Sequence, residues 1–258
     1  MAKFLTNFIS YTLYRTVDIT VVIPSVTSPE CRNNPSHIPK ADYPVLYLLH
    51  GGMNNHHAWT AYTNVEFFAE ERQIAVVMMS GENKSYIDHP GSNMFDSANF
   101  FTFLSEELPE FVKAMFPISH RPEDTYVAGL SMGGYGTLVQ GFNWPERYRA
   151  LGVFSGGAMM PGADTGDIRF RPLDMLDNFV AEGKKLPPIY MSCGTEDDMV
   201  YEHNLMLKDK LIEAGMDVTW EAVEGYGHEW RFWNNEIEKF LDWIPRTDIY
   251  AAQGKRRI

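Results

Sequence analysis

The apolar residues of this chain fall into short continuous runs that alternate with segments of helical period. Runs of four to six apolar residues are typical of strands buried on both faces of a parallel sheet. Five such runs occur, at Val45–Leu49, Ala75–Met79, Thr125–Leu130, Leu151–Phe154 and Ile189–Cys193. Two further segments alternate between apolar and polar positions. Residues 10–24 predict one or two strands at a sheet edge, and Val218–Val223 predicts a strand nearer an edge.

Helical patterns separate the apolar runs. They cover Asn99–Met115, Met132–Trp144, Met199–Ala214 and Glu229–Trp243. Alternation of strands and helices predicts an α/β fold, in which a mostly parallel central sheet carries helices on both faces. The 258 residues, 45% of them hydrophobic, are enough for one large core, so residues 1–258 are expected to form a single domain.

One segment, residues 156–187, interrupts the alternation between two predicted strands. It is rich in Gly, Pro, Asp and Met and has no long period. An insertion at this point of such a fold lies above the carboxyl edge of the sheet, so we expect a cap over a substrate pocket. A surface loop without contacts to a substrate is the alternative.

Composition excludes several classes of function. The net charge of −12 argues against nucleic-acid binding, which requires clustered Lys and Arg. No apolar stretch reaches 18 residues, so no membrane span is predicted, and the N-terminus is interpreted as structure rather than as a signal peptide. Cys31 and Cys193 lie far apart in sequence, and no disulfide is needed, which fits a cytoplasmic protein.

The motif G-x-S-x-G occurs at Gly129–Gly133, with Ser131 at its centre. It follows a predicted buried strand and precedes a predicted helix. In an α/β-hydrolase such a serine sits on a tight turn between strand and helix, which exposes its hydroxyl at the end of the sheet. The motif alone occurs by chance in many chains, but its position here predicts that Ser131 is a nucleophile.

A serine nucleophile needs a histidine base, and the base must follow it in the chain of an α/β-hydrolase. His203 and His228 are the histidines downstream of Ser131. His203 falls within a predicted helix, whereas His228 lies between the last predicted strand and the last helix. This is the position that the fold requires, so His228 is predicted as the base.

The carboxylate that orients the histidine should follow the strand ending at Cys193. Glu196, Asp197 and Asp198 occupy this turn. Asp197 is predicted as the acid because the G-x-x-D spacing from Gly194 places it beyond the strand. Asp198 is better placed to cap the following helix.

Two backbone N–H groups are needed to stabilise the oxyanion of an acyl-transfer reaction. Met132, directly after the serine, predicts one donor, and Gly52, in the loop after Val45–Leu49, predicts the other. The same loop contains His50, His56 and His57, which could suggest a metal. Their spacing matches no zinc motif, so neither a metal nor a cofactor is expected.

These residues resemble the bacterial tributyrin esterases, which group with esterase D, S-formylglutathione hydrolase, and the feruloyl and acetyl xylan esterases of carbohydrate esterase family one. The resemblance extends from about residue 10 to 245. It is carried by Leu48–Gly51, Trp59, Thr63–Glu66, Gly129–Gly136, Cys193–Asp197, Gly227–Trp230 and Trp233. It implies an α/β-hydrolase without cofactor that hydrolyses short-chain acyl esters. By position, it gives Ser131, Asp197 and His228 the catalytic roles, and Gly52 and Met132 the oxyanion contacts.

We therefore predict a serine carboxylesterase whose partner is a small-molecule ester, with Trp59, Tyr226 and Trp230 lining the substrate pocket. The ester is a short-chain acyl ester, an acylated sugar or a hydroxycinnamate (feruloyl) ester. A thioesterase acting on S-formylglutathione and an acyltransferase would use the same triad, so both stay open. A ligand-binding homologue without activity is an alternative of another class. Homo-oligomerisation is also left open.

Overall fold

A central sheet of eight strands organises the computed structural model, which describes residues 1–33, 35–157 and 165–251. Numbered along the chain, its strands are β1 (Ala2–Ser10), β2 (Arg15–Ile23), β3 (Val45–Leu49), β4 (Ala75–Met79), β7 (Thr125–Leu130), β8 (Ala150–Phe154), β9 (Ile189–Gly194) and β10 (Val218–Val223), while β5 (Asp88–His89) and β6 (Ala98–Asn99) form a separate small ribbon. The order across the sheet is β1-β2-β4-β3-β7-β8-β9-β10. Six neighbouring strands of this sheet run parallel to one another, namely β4, β3, β7, β8, β9 and β10. This confirms the prediction of an α/β-hydrolase fold with a mostly parallel central sheet.

The first edge of the sheet is an antiparallel hairpin that begins earlier than predicted. β1 pairs with β2, and β2 pairs antiparallel with β4. Residues 11–14, which were expected to be part of a strand, form the turn of this hairpin. The buried carboxylate of Glu107 accepts hydrogen bonds from Tyr11 N and Thr12 N at 2.9 Å each, which ties the turn to the body of the protein. The alternation of apolar and polar residues does not indicate a turn here, because the turn is held by Glu107, which is distant in sequence.

Helices cover both faces of the sheet, as the alternation predicted. They are α1 (Ala58–Tyr62), α2 (Val65–Arg72), α3 (Phe100–Thr102), α4 (Leu108–Met115), α5 (Met132–Asn143), α6 (Pro172–Ala181), α7 (Tyr201–Glu213) and α8 (Trp230–Trp243). The predicted helix Asn99–Met115 is divided, because a π-helical turn at Phe103–Glu107 joins α3 to α4. Buried residues of α2 and α8 share one hydrophobic core, and those of α4, α5 and α7 share the core on the opposite face.

The central strands β3 and β7 lie side by side, and the chain leaves them in opposite directions. After β3 it crosses to β4 on one side, and after β7 it crosses to β8 on the other. Their connecting helices lie on opposite faces, so a crevice forms between the two loops at the carboxyl ends of these strands. In open α/β sheets this switch point is where ligands bind. The loop after β3 carries Gly51 and Gly52, and the loop after β7 carries Ser131.

The described part of segment 156–187 packs against the flank of α5. A short 3₁₀ turn, Ile168–Phe170, precedes α6, and Tyr135 Oη donates a hydrogen bond to Phe170 O at 2.5 Å. Phe179 of α6 contacts Phe142 of α5 edge to face at 5.0 Å. Residues 158–164 lie outside the described residues, so the cap over the substrate pocket stays a prediction. Within the described ranges, none of the helices has the length and apolar character needed to span a bilayer.

The junction between α5 and the end of β3 should not tolerate a methyl group. A Cβ at Gly133 would lie 2.4 Å from Leu49 O and 2.8 Å from His50 O, both backbone atoms. We expect Gly133→Ala to destabilise the fold by at least about 2 kcal/mol, because the contacting atoms are backbone atoms at the end of a paired strand and cannot rotate away as a side chain can. Urea unfolding measures this loss.

Gly141→Ala, in the same helix, is the matched control. Its Cβ would meet only the side chain of Leu151, at 2.4 Å from Cδ1, and that side chain can change rotamer. A smaller loss is expected, partly offset by the better helix propensity of Ala. Equal losses of unfolding free energy in the two variants would show that the backbone contact at Gly133 is no less tolerant of a methyl group than the side-chain contact at Gly141.

Candidate active site

Ser131 stands on a strained turn between β7 and α5. Its backbone φ of 50° and ψ of −116° are those that side chains rarely adopt, and its N–H donates to Phe154 O at 2.9 Å. Glycines on both sides permit the tight turn, since a Cβ at Gly129 would lie 2.4 Å from the backbone carbon of Gly133. This is the geometry expected of a nucleophile on a strand-to-helix elbow. The conformation places the serine side chain in the crevice at the switch point.

His228 and Asp197 complete a chain of hydrogen bonds that begins at Ser131. His228 Nε2 lies 3.0 Å from Ser131 Oγ, and His228 Nδ1 lies 2.7 Å from Asp197 Oδ2. Because the carboxylate can only accept, Nδ1 carries the proton and Nε2 is free to accept from the serine hydroxyl. The three residues predicted from the sequence are thus brought together in the order that a proton-accepting relay requires.

The loops that carry Asp197 and His228 are fastened to each other directly. A Cβ at Gly194 would lie 2.1 Å from Tyr226 O, and Glu196 N donates to that same oxygen at 2.9 Å. This close backbone contact places Asp197, three positions after Gly194, next to the loop that carries His228. The G-x-x-D spacing therefore has a physical cause. The predicted capping role of Asp198 is wrong, because α7 begins later, at Tyr201, and has no side-chain cap.

Asp197 is 1% exposed, and its carboxylate is held in the charged form. Burial raises the pKa of Asp197, but the hydrogen bond from His228 and the attraction to that ring outweigh burial and leave the pKa below its ordinary value. The edge of the Trp233 ring packs on the His228 ring at 4.9 Å and 89°, and Trp233 Nε1 lies 3.4 Å from Ser155 Oγ. Buried neighbours therefore fix both the charge of the acid and the plane of the imidazole.

The two predicted oxyanion donors lie at the ends of neighbouring strands. Met132 is the first residue of α5, and N–H groups in the first turn of a helix have no partner within it. A Cβ at Gly51 would lie 3.3 Å from Ser131 Cβ, so the Gly51–Gly52 peptide adjoins the serine. This arrangement supports Met132 and Gly52 as a pair of donors, although the assignment remains a proposal.

The predicted substrate contacts divide into one buried and two accessible residues. Trp59 is 1% exposed, and its Nε1 donates to Leu49 O at 3.0 Å, so it is a core residue and the prediction that it lines the pocket is wrong. Tyr226 and Trp230 are half-buried and line an open cleft of about 530 Å³ together with Tyr62. Trp230 stacks on Tyr62 with ring centroids 5.0 Å apart. None of Ser131, Asp197 and His228 lines this cleft, so a contact of Tyr226 and Trp230 with substrate stays a prediction.

The loop histidines form hydrogen bonds with neighbouring backbone and hydroxyl groups. His50 is 1% exposed and bonded to the backbone through both ring nitrogens, and His56 Nδ1 lies 2.8 Å from Thr20 Oγ1. Across the described residues, no three His, Cys, Asp or Glu side chains gather as a metal site would require.

Two residues that no sequence pattern indicates support the loop after β3. Asn83 Oδ1 accepts from Met53 N at 2.6 Å, and Tyr86 Oη donates to His50 O at 3.0 Å. Both residues have positive φ, which no local pattern signals for such side chains. For His50 a signal existed, since it stands between a buried strand and a glycine pair, but it was considered only as a metal ligand.

Comparison with known proteins identifies the family. The sequence profile described as Putative esterase matches residues 30–244, most of the chain. The chain belongs to the Putative esterase family. This esterase is therefore an enzyme that hydrolyses carboxylic esters of small molecules, and the resemblance found in its sequence is confirmed.

One curated relative aligns with this esterase from end to end. The acetyl esterase of Caldicellulosiruptor saccharolyticus is 29% identical over 272 residues, which cover 96% of this chain and 99% of the relative. Two solved structures from Staphylococcus aureus share the fold. The fluorophosphonate-binding serine hydrolase F has a TM-score of 0.80 at 24% identity, covering 94% of this chain and 97% of its own. The S-formylglutathione hydrolase has a TM-score of 0.79 at 23% identity, with 94% and 98% covered.

Acid should destabilise this esterase through His50. Burial lowers the pKa of His50 from 6.5 to about 4; the hydrogen bond to Gly51 O opposes this shift and nearby His56 adds to it. The unfolded chain binds a proton that the folded protein excludes, so stability is complete above pH 6.5 and declines down to about pH 4. The decline should reach about 3 kcal/mol.

Urea unfolding of the wild type and of His50→Asn at pH 7, 6, 5 and 4 measures this effect. The variant lacks the titrating ring, so the stability advantage of the wild type should shrink by that amount as the pH falls. An advantage that is the same at every pH would contradict a neutral buried imidazole.

Proposed function

We propose that this esterase is a serine carboxylesterase acting on short-chain acyl esters, acetyl esters foremost, with Ser131 as nucleophile, His228 as base and Asp197 as orienting acid. The observation that carries the proposal is the continuous chain of hydrogen bonds from Ser131 Oγ through both nitrogens of His228 to the buried Asp197. A ligand-binding homologue without activity would have no need of this alignment.

The reaction proceeds in two acyl-transfer steps. Ser131 Oγ attacks the ester carbonyl carbon while His228 Nε2 takes its proton. The tetrahedral intermediate collapses, the alcohol leaves with the proton from His228, and the acyl group stays on Ser131. Water then attacks the acyl-enzyme, again giving its proton to His228, and the carboxylic acid leaves as Ser131 regains its hydrogen. Asp197 holds the ring in the tautomer that both steps need and stabilises the imidazolium.

The negative oxygen of each tetrahedral intermediate is stabilised by the N–H groups of Met132 and Gly52. Such donors are effective when they are fixed before the reaction, because no reorganisation is then needed as charge develops. Met132 is fixed by the start of α5, and Gly52 lies in a loop bonded to its surroundings at several points.

An acetyl or other short acyl group is the preferred substrate, because the relative that aligns with this chain over its whole length is an acetyl esterase. Feruloyl esters, the thioester S-formylglutathione and transfer to an alcohol acceptor use the same triad and differ only in the groups bound.

Ser131→Ala should lower kcat by at least about a thousand-fold on p-nitrophenyl acetate and butyrate, with the fold unchanged. Tested in parallel on acetylated xylose, methyl ferulate and S-formylglutathione, the wild type should show its highest kcat/KM on an acetyl ester. Circular dichroism of the variant serves as the control for folding.

Unchanged rates in Ser131→Ala would remove the serine from the mechanism. A preference for methyl ferulate or S-formylglutathione would leave the triad intact and replace the acetyl group in the proposal. Formation of a new ester when an alcohol is added, at the expense of the free acid, would identify an acyltransferase.

The neighbouring carboxylates Asp197 and Asp198 provide a matched test of the acid. Asp197→Asn should lower kcat about a thousand-fold, because the amide favours the wrong imidazole tautomer. Asp198 is exposed, whereas Asp197 is 1% exposed and bonded to His228, so Asp198→Asn should change kcat by less than about twofold. Kinetics on p-nitrophenyl butyrate decide between them, and the reverse order would move the role to Asp198.

A further inference from the structure

Side chains hold the backbone from Leu49, the last residue of β3, to Met53 in the following loop. Five successive residues each have one backbone group bonded to a side chain. The bonds are Trp59 Nε1 to Leu49 O at 3.0 Å, Tyr86 Oη to His50 O at 3.0 Å, His50 Nδ1 to Gly51 O at 2.6 Å, Asn54 Nδ2 to Gly52 O at 2.8 Å, and Met53 N to Asn83 Oδ1 at 2.6 Å. A loop that only connected two elements would leave most of these groups to water.

The hydrogen bonds of His50 fix which ring nitrogen carries its proton. Gly81 N–H donates to Nε2 at 2.8 Å, so Nε2 must be an unprotonated acceptor. Nδ1 therefore carries the hydrogen and donates it to Gly51 O at 2.6 Å. The ring is 1% exposed, and the hydroxyl of Tyr86 bonds to the carbonyl of the same residue. Both the tautomer and the position of the imidazole are thus determined by backbone groups around it.

Gly51 O and Gly52 N belong to one rigid, planar peptide group. A bond that fixes the direction of the carbonyl oxygen therefore also fixes the direction of the N–H on the opposite side. Glycine on both sides would otherwise allow this peptide to rotate, since glycine accepts nearly all backbone conformations. The hydrogen bond from His50 opposes that rotation.

We propose that His50 is a positioning residue, which aims the Gly52 N–H at the oxyanion by holding Gly51 O with its Nδ1 hydrogen. The inference rests on the proposed function, because it assigns a task to the oxyanion contact of that mechanism. The location of the Gly51–Gly52 peptide agrees with this role, since a Cβ at Gly51 would lie 3.3 Å from Ser131 Cβ. The competing interpretation is structural: His50 joins the ends of β3 and β4 through Gly81 and has no effect on catalysis.

Two amide substitutions separate these interpretations. An Asn side chain ends near the position of Nδ1 and a Gln side chain near that of Nε2. His50→Asn keeps a donor for Gly51 O and loses the acceptor for Gly81 N–H, whereas His50→Gln keeps the acceptor and loses the donor. If His50 positions the oxyanion contact, His50→Gln should lower kcat by about 10- to 100-fold, and His50→Asn by less than about fivefold, with KM within about threefold of wild type in both.

A trifluoromethyl ketone that forms a tetrahedral adduct with the serine is the second readout. Its affinity for His50→Gln should fall by about the same factor as kcat, because the adduct carries the oxyanion. Greater loss in His50→Asn than in His50→Gln, or loss of kcat without loss of affinity for the ketone, would overturn the inference.

A measurement on the wild type tests the inference even if the two His50 variants fold poorly. Nitrogen NMR of the histidine rings should show His50 with its hydrogen on Nδ1, both free and in the ketone adduct, and the Gly52 amide proton should move downfield in the adduct. A hydrogen on Nε2, or an unmoved Gly52 signal, would overturn the inference. Ser131→Ala, assayed alongside, separates failure of the proposed function from failure of the His50 inference. Full activity of Ser131→Ala refutes the proposed function. An inactive Ser131→Ala together with a fully active His50→Gln refutes only the role of His50.

Discussion

The backbone contact between β3 and the first turn of α5 is the constraint on which the site depends. Gly133 lets the helix approach until its Cα hydrogen faces Leu49 O and His50 O, with no room for a methyl group. This contact brings the start of α5, which carries Ser131 and Met132, beside the loop that carries Gly52. Because the strands also pair in register from Val45–Thr125 to Leu49–Gly129, the two loops cannot slide past one another. The geometry of the oxyanion contact is thus a consequence of sheet pairing and helix packing.

The second requirement is that His228 reach Ser131 from a distant part of the sequence. Strands β8 and β9 separate the elbow from the acid, and the last strand, β10, leads to the histidine. The close contact of Gly194 with Tyr226 O joins the last two loops, so that the position of the base depends on that of the acid. Two glycine contacts, at Gly133 and Gly194, therefore fix the two halves of the triad. Both occur where parallel strands end, which is why the site lies at one edge of the sheet.

Much of this could be predicted from the sequence, and the limits have physical causes. The buried strands were visible because strands covered on both faces are continuously apolar, and Ser131 and Asp197 followed from their positions after such strands. His228 followed from its place between the alternating strand β10 and the last helix. The hairpin turn near Tyr11 was missed because its partner, Glu107, is almost a hundred residues away. Trp59 was misassigned because an aromatic residue near a site looks the same in sequence whether it contacts substrate or, as here, supports the backbone from the core. The role of His50 depends on a partner, Gly81, that only the fold brings near.

The support of the loop after β3 comes at an energetic cost that packing offsets. Glu82, Asn83, Ser85 and Tyr86 all have positive φ, and each such residue costs on the order of 1 kcal/mol. The strained segment persists because Tyr86 is completely buried and its hydroxyl finds His50 O, while Asn83 finds Met53 N. A relaxed segment would withdraw both bonds from the loop and leave the carbonyl of the buried His50 without this partner, a cost that offsets part of the strain. Strain near a site is therefore the means by which this fold holds a glycine peptide in one orientation.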